Sequence, residues 1–253
     1  AAEVEAFLAA NPNIQYVDCV FVDLCGNVRG KRVSVGELEK LFGEGLKVPH
    51  SIYFLDARGE RIESLGPRVA GMGTAWPVAG SLTKVSWAQR PHGQVLMALR
   101  DEASEPFFGE PRNVLQRVVA RFADFDVTPC VGVEIDALIV ESERGKDGVP
   151  IPVRDDHPML GAFPTELARA AEAQNLPPLS VSVQGSLVRA GFALGVGALA
   201  AGDHAVFLRQ LVRAVARKQK IDAVVMAMPL RGRGGNAMRV SIDLRRSGSE
   251  SVF

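Results

Sequence analysis

GVEIDALIV, residues 132–140, decides how this chain is read. Glu134 and Asp136 stand two apart in an otherwise apolar run. Residues i and i+2 of a strand project from one face, so the run predicts a mostly buried strand carrying two carboxylates side by side. Like charges held that way are costly unless a cation or basic groups lie between them. A divalent metal is the obvious partner, and the rest of the sequence must then supply the remaining ligands.

Working outward, the strand is led in by EPFFGEPRNVLQRVVARFADF (105–125). Pro111 suits a first helical position, and Val114, Leu115, Val118, Val119 and Phe122 form an apolar stripe at helical spacing. After the strand come a Pro-rich polar loop (143–158), a helix predicted after Pro164, and strands SVSVQGSLV and AGFALGV. A helix capped by Asp203 follows, with its cations at the C-terminal end where the dipole favours them. AVVMAMP and AMRVSIDL are the last predicted strands.

Upstream, YVDCVFVDLCGNVRGKRVSV (16–35) reads as two antiparallel strands around a Cys-Gly-Asn turn. VGELEKLF is a short helix closed by Gly43, SIYFLDARGERIESLG (51–66) a strand, polar turn and strand, and QVLMALRD a strong strand. Residues 1–104 are therefore expected to form a small α+β unit and 105–253 a second domain.

With 253 residues, 47 % of them apolar, the chain can bury a substantial core, and its formal charge of zero gives no general case for nucleic acid or an acidic membrane surface. No run is long and apolar enough to span a bilayer, and the N-terminus reads as an amphipathic helix instead of a signal peptide. Cys19, Cys25 and Cys130 are odd in number and read as reduced core residues, so a cytoplasmic protein is expected. Basic clusters at 217–220, 231–233 and 244–246 read first as a solvated face and second as a polyanion surface.

In order and content, VDCVFVDLCGNVRGKRV, VPHSIYFLD, GSLTKVSW, the QVLMALRD block, GVEIDALIV, the DHAVFLRQLVRAVARKQKIDAVVMAMP block and GGNAMRVSIDL resemble the glutamine synthetase family, nearest its γ-glutamyl-polyamine synthetase branch. The resemblance covers essentially the whole chain. It implies an N-terminal β-grasp domain followed by part of a catalytic domain with a curved antiparallel sheet. It also implies ATP-dependent phosphorylation of a glutamate γ-carboxylate, with two Mg²⁺ or Mn²⁺ ions neutralising charge during transfer. Family chains continue well beyond the point matched by SESVF, through further metal and phosphate ligands. Either this chain is part of a longer protein, or a partner closes the sheet edge.

The resemblance places the first two metal ligands on Glu134 and Asp136, with Asp in place of Glu at the second. It carries the next two glutamates onto Ser182 and Arg189, the His-x-His pair onto Arg239 and Ser241, and a lysine ahead of a proline onto Met228. Guanidinium does not deprotonate in proteins, so Arg189 and Arg239 set fixed positive charge where dications belong. Each is expected to pair with Glu134 or Asp136, leaving those carboxylates a vestigial metal site.

The first functional reading is a catalytically inactive homologue with no cofactor, acting as a structural or regulatory subunit in a homo-oligomer or beside an active paralogue. The alternative is an ATP-dependent ligase joining glutamate to ammonia or an amine, with Mg²⁺ or Mn²⁺. A third is a small-anion-binding module, in which Gly235 and Asn236 keep a glycine turn flanked by Arg231, Arg233 and Arg239. His50, His92, His157 and His204 have no ligand spacing and are expected to be structural or exposed, with His204 at the surface. Trp76 and Trp87 are read as packing residues, and Asp56 as a strand-end carboxylate or a residue reaching toward a neighbouring subunit.

Overall fold

The computed structural model describes every residue except 1, 57, 63–68, 89, 146, 233, 247–250 and 253. The chain divides into two compact units, Ala1–Val118 and Val119–Phe253.

In the first unit, α1 (Ala2–Ala10) precedes β1 (Tyr16–Val22) and β2 (Val28–Ser34). A 3₁₀ turn leads to α2 (Leu38–Glu44), then β3 (Leu46–Pro49), β4 (Met72–Pro77), β5 (Thr83–Lys84) and β6 (Gly93–Arg100). The sheet order is β2-β1-β6-β4-β3, with β5 on β6. The first and last long strands, β1 and β6, lie side by side and parallel, whereas the other pairings are antiparallel. Parallel neighbours need a crossover instead of a hairpin, and the whole middle of the unit supplies it. Val17, Cys19 and Phe21 alternate inward along β1 and meet Val95, Met97 and Leu99 of β6, with Val4 and Phe7 of α1 and Leu38 and Leu41 of α2 in the same core.

The β1–β2 turn is built by Asp23, which is almost fully buried. Its carboxylate accepts from the Cys25 and Asn27 amides and from Arg29 Nε. SIYF is not a strand. His50–Tyr53 is a 3₁₀ turn after Pro49, with Tyr53 buried against Phe21 and Phe107, and the extended element here is β3 just before it. The second strand expected within 51–66 lies partly outside the described residues. Helix α2 closes two residues later than expected, at Gly45, whose φ of 72° is the left-handed conformation glycine favours.

Helix α3 (Pro111–Ala120) starts at the expected proline but does not bury its valine stripe, since Val114 and Val118 are exposed. Its buried anchor is polar. The Asn113 amide donates to the Leu99 and Phe107 carbonyls, which turns the neighbouring stripe outward.

The second unit is organised on β7 (Val127–Arg144), 18 residues long, with β8 (Pro150–Pro152), α4 (Pro158–Glu172), β9 (Leu179–Gln184), β10 (Leu187–Gly197), α5 (Ala198–Lys218), β11 (Ile221–Val224) and β12 (Met238–Arg246). Every pairing here is antiparallel. β7 is long enough to take two partners along each edge: β10 then β8 on one, β12 then β11 on the other. Val133, Ile135, Ala137 and Ile139 are buried on β7, as are Leu208, Leu211, Val212 and Val215 on α5, which packs against it.

Several boundaries differ from the expected ones: the strand expected over AVVMAMP is reduced to β11, which ends at Val224, so 225–229 is loop. The break between β9 and β10 is the two-residue turn Gly185-Ser186, with Gly185 at φ 56°, so Arg189 lies inside a strand and not between two. Helix α4 begins at Pro158, where His157 Nδ1 accepts from the Met159 amide as the N-cap, and Pro164 sits within the helix. Helix α5 begins at Ala198 after Gly197, so Asp203 is not its cap.

Candidate functional site: a face of paired carboxylates and arginines

Cross-strand partners share a face of a sheet. Arg189 on β10 is opposite Asp136 on β7 and opposite Ser182 on β9. Glu134, two residues back on β7, is opposite Gly191 on β10 and Arg239 on β12. The register therefore gathers Glu134, Asp136, Arg189, Arg239, Ser182 and Ser241 on one face. Met228 lies apart, exposed in the loop between β11 and β12.

The two carboxylates are held differently. Asp136 is 5 % exposed and engaged at both oxygens: Arg189 Nε meets Oδ1 at 2.7 Å, Arg189 Nη2 meets Oδ2 at 3.2 Å, and the Ala237 amide donates to Oδ2 at 3.2 Å. The Arg189 guanidinium, helped by that amide, holds the Asp136 carboxyl below the usual carboxylate range against the opposing effect of burial. Glu134 is half exposed and meets Arg239 Nη1 at 3.5 Å, a looser pair that contributes little in high dielectric. Gly191 makes room for Glu134, because a Cβ there would lie 2.3 Å from the Val133 carbonyl oxygen and 2.8 Å from Glu134 Cγ.

This donor set does not fit a pair of divalent ions. Both Asp136 oxygens are engaged, and guanidinium groups flank both carboxylates. Ser182 and Ser241 present hydroxyls with no negative charge. Among the described residues no group of three or more His, Cys, Asp or Glu side chains is arranged to hold a metal.

The glycine turn is also internally engaged. Asn236 Nδ2 donates to the Val224 and Met226 carbonyls, and Gly235 sits so close to the Ala227 carbonyl oxygen that a Cβ would lie 2.5 Å from it. Neither donor hydrogen of the Asn236 amide points outward to an anion. Arg231 is exposed, and Arg233 lies outside the described residues. The basic clusters are partly paired, with Arg217 on Asp222, Lys218 on Glu166 and Arg245 on Asp243.

The histidines occupy different settings. His50 is buried and stacks on Phe107, and His92 Nε2 lies 3.4 Å from Asp18. His204 is not a surface residue: it is half-buried, edge-on to Phe192, and burial lowers its pKa. Asp56 closes its own turn by accepting from the Arg58 and Glu60 amides. Trp76 and Trp87 are half-buried. Cys25 is exposed and Cys130 half-buried, so only Cys19 is a core cysteine.

This chain has clear relatives. It is 31 % identical over 279 aligned residues to gamma-glutamylputrescine synthetase PuuA of Escherichia coli, covering 99 % of this chain and 57 % of that protein. The chain belongs to the glutamine synthetase family. A glutamine synthetase of Halobacterium salinarum is 24 % identical over 95 % of the chain and 53 % of its own length. Among solved structures, a novel glutamine synthase homologue aligns with a TM-score of 0.80 at 20 % identity, covering 94 % of this chain and 57 % of its own. The glutamine synthetase of Plasmodium falciparum aligns with 0.78 at 13 % identity over all of this chain and 55 % of its own. The chain thus spans a little over half the length of the glutamine synthetases it matches, and the mixed α/β architecture is theirs. No protein-family model matches it. Among the described residues no helix is long and apolar enough to cross a membrane.

Proposed function

We propose that this chain is a catalytically inactive glutamine synthetase homologue, in which ion pairs replace the metal-binding face and the protein serves as a structural or regulatory subunit. The observation that supports this reading is the engagement of both Asp136 oxygens by Arg189 and the Ala237 amide. Phosphoryl transfer in this family depends on positioned divalent ions that neutralise the charge on the transferring phosphate, and those ions need free carboxylate ligands. Here Asp136 is held by Arg189, and Arg239 adds a second guanidinium beside Glu134, which disfavours a dication at either carboxylate. Residues 1–104, the greater part of the first unit, with β1 parallel to β6 at its centre, are read as a β-grasp domain ahead of part of a catalytic domain. Such a unit can dock against a neighbouring subunit, so a homo-oligomer or an assembly with an active paralogue is the expected state.

Calorimetric titration of the protein with Mn²⁺ and ATP tests this without a choice of amine. No saturable heat is expected from either. Tight binding of both overturns the proposal.

A second reading is favoured by the 31 % identity to gamma-glutamylputrescine synthetase: an ATP-dependent ligase of glutamate and an amine. It requires release of ADP that depends on both glutamate and putrescine.

A further inference from the structure

The loop from 225 to 237 joins β11 to β12 on the margin of this face. Its own closure is clear: the Asn236 amide nitrogen donates to the Ala227 carbonyl, and the Asn236 side chain ties Val224 and Met226. Its far foot is held by Asp136. The Asp136 backbone donates to the Ala237 carbonyl at 2.8 Å, and the Ala237 amide returns a bond to Oδ2 of the same residue. Oδ2 is aimed at Ala237 because Arg189 grips the carboxylate from the other side.

We propose that Arg189 and Asp136 form a latch on the 225–237 loop, with Arg189 a positioning residue that orders the loop without touching it. A guanidinium fork fixes the rotation of the carboxylate it grips, which a single point charge does not. The link crosses from β10 through β7 to the loop, so a change on β10 is felt at Ala237. Glu134 takes no part, since its partner Arg239 lies beyond the latched foot and contacts it only loosely. The latch also excludes a metal from Asp136, and in that respect it rests on the metal-free reading above.

Hydrogen exchange followed by mass spectrometry on peptides covering 225–237 tests the latch. Arg189→Gln and Asp136→Asn should each speed exchange there about tenfold, since a lost charge-assisted bond to a buried carboxylate is of that order. Glu134→Gln should leave it unchanged, and Asn236→Ala, which opens the loop from within, should speed it in every background. Normal exchange at 225–237 in Arg189→Gln beside fast exchange in Asn236→Ala overturns the latch. If Asp136→Asn unfolds the whole unit, Arg189→Lys decides: it keeps the charge but loses the fork, and unchanged exchange in it overturns the positioning role. Faster wild-type exchange on addition of Mn²⁺ would support the latch while overturning the metal-free reading, so the two fail separately.

Discussion

Arg189 and Asp136 face each other across the β10–β7 pairing, with Nε–Oδ1 at 2.7 Å and Nη2–Oδ2 at 3.2 Å. The arginine is a third exposed and the aspartate buried, so the two ends of the pair are not equivalent. Removing the arginine strands a buried charge, whereas removing the aspartate leaves a guanidinium that can turn toward water. Arg189→Met should therefore destabilise more than Asp136→Ala, which should lose about 2 kcal/mol. The double replacement should cost less than the sum of the two. Urea denaturation of the four proteins measures the cycle, and strict additivity would show that the pair contributes nothing of its own.

The same pair predicts the acid limb of stability. Asp136 has its carboxyl held below the ordinary range when folded, so between its folded and unfolded pKa values the unfolded chain binds the extra proton. Its contribution is complete above the unfolded value of about 4 and disappears as pH falls through the folded one. The stability difference between wild type and Asp136→Asn should be flat from neutral pH to about 5 and shrink below that. A difference that grows on acidification reverses the sign and contradicts the arrangement.

Gly191 gives a steric test of the site. It faces Glu134, and any Cβ would collide with backbone atoms of β7 instead of a flexible side-chain end. Gly191→Ala should therefore lose roughly 1–3 kcal/mol by forcing the β10–β7 pairing apart. Gly161→Ala, where a Cβ meets nothing within 4 Å on α4, should be neutral or slightly stabilising. Equal melting temperatures for the two variants would mean that β10 can shift without cost.

How much of this was legible in the sequence depends on whether a residue's partners lie nearby in the chain. The β1–β2 hairpin was legible because both strands and their turn lie within twenty consecutive residues, 16–35. GVEIDALIV was readable as a two-faced strand because alternation is a local property, but its two carboxylates alone pointed to a metal, and arginine partners were legible only through the family resemblance, since Arg189 and Arg239 lie on other strands. Helix starts were misread where a plausible cap stood inside the helix. Asp203 has good capping chemistry, but Ala198–Gly202 ahead of it is already helical. The outward turn of Val114 and Val118 was not legible, because Asn113 anchors to carbonyls that only the fold brings to it. His204 looked like a surface residue for the same reason: Phe192 packs against it from a different element.

The cysteines separate cleanly enough for a chemical test. Cys25 is exposed in the β1–β2 turn, with its thiol directed to the Leu55 carbonyl at 3.5 Å. Cys19 lies fully buried in the first unit's core, and burial, reinforced by Asp18, pushes its thiol up to about 11. Thiolate is the reactive form, so Cys19 is protected twice, by access and by proton affinity. With a disulfide reagent at pH 8 the native protein should show one fast thiol, which Cys25→Ser removes, and Cys130 should react more slowly. Cys19 should react only at the rate of unfolding, and denaturant should release it together with the loss of secondary structure. If Cys19 is labelled at the rate of Cys25 in the folded protein, then β1 is not packed as described and the core of the first unit is open.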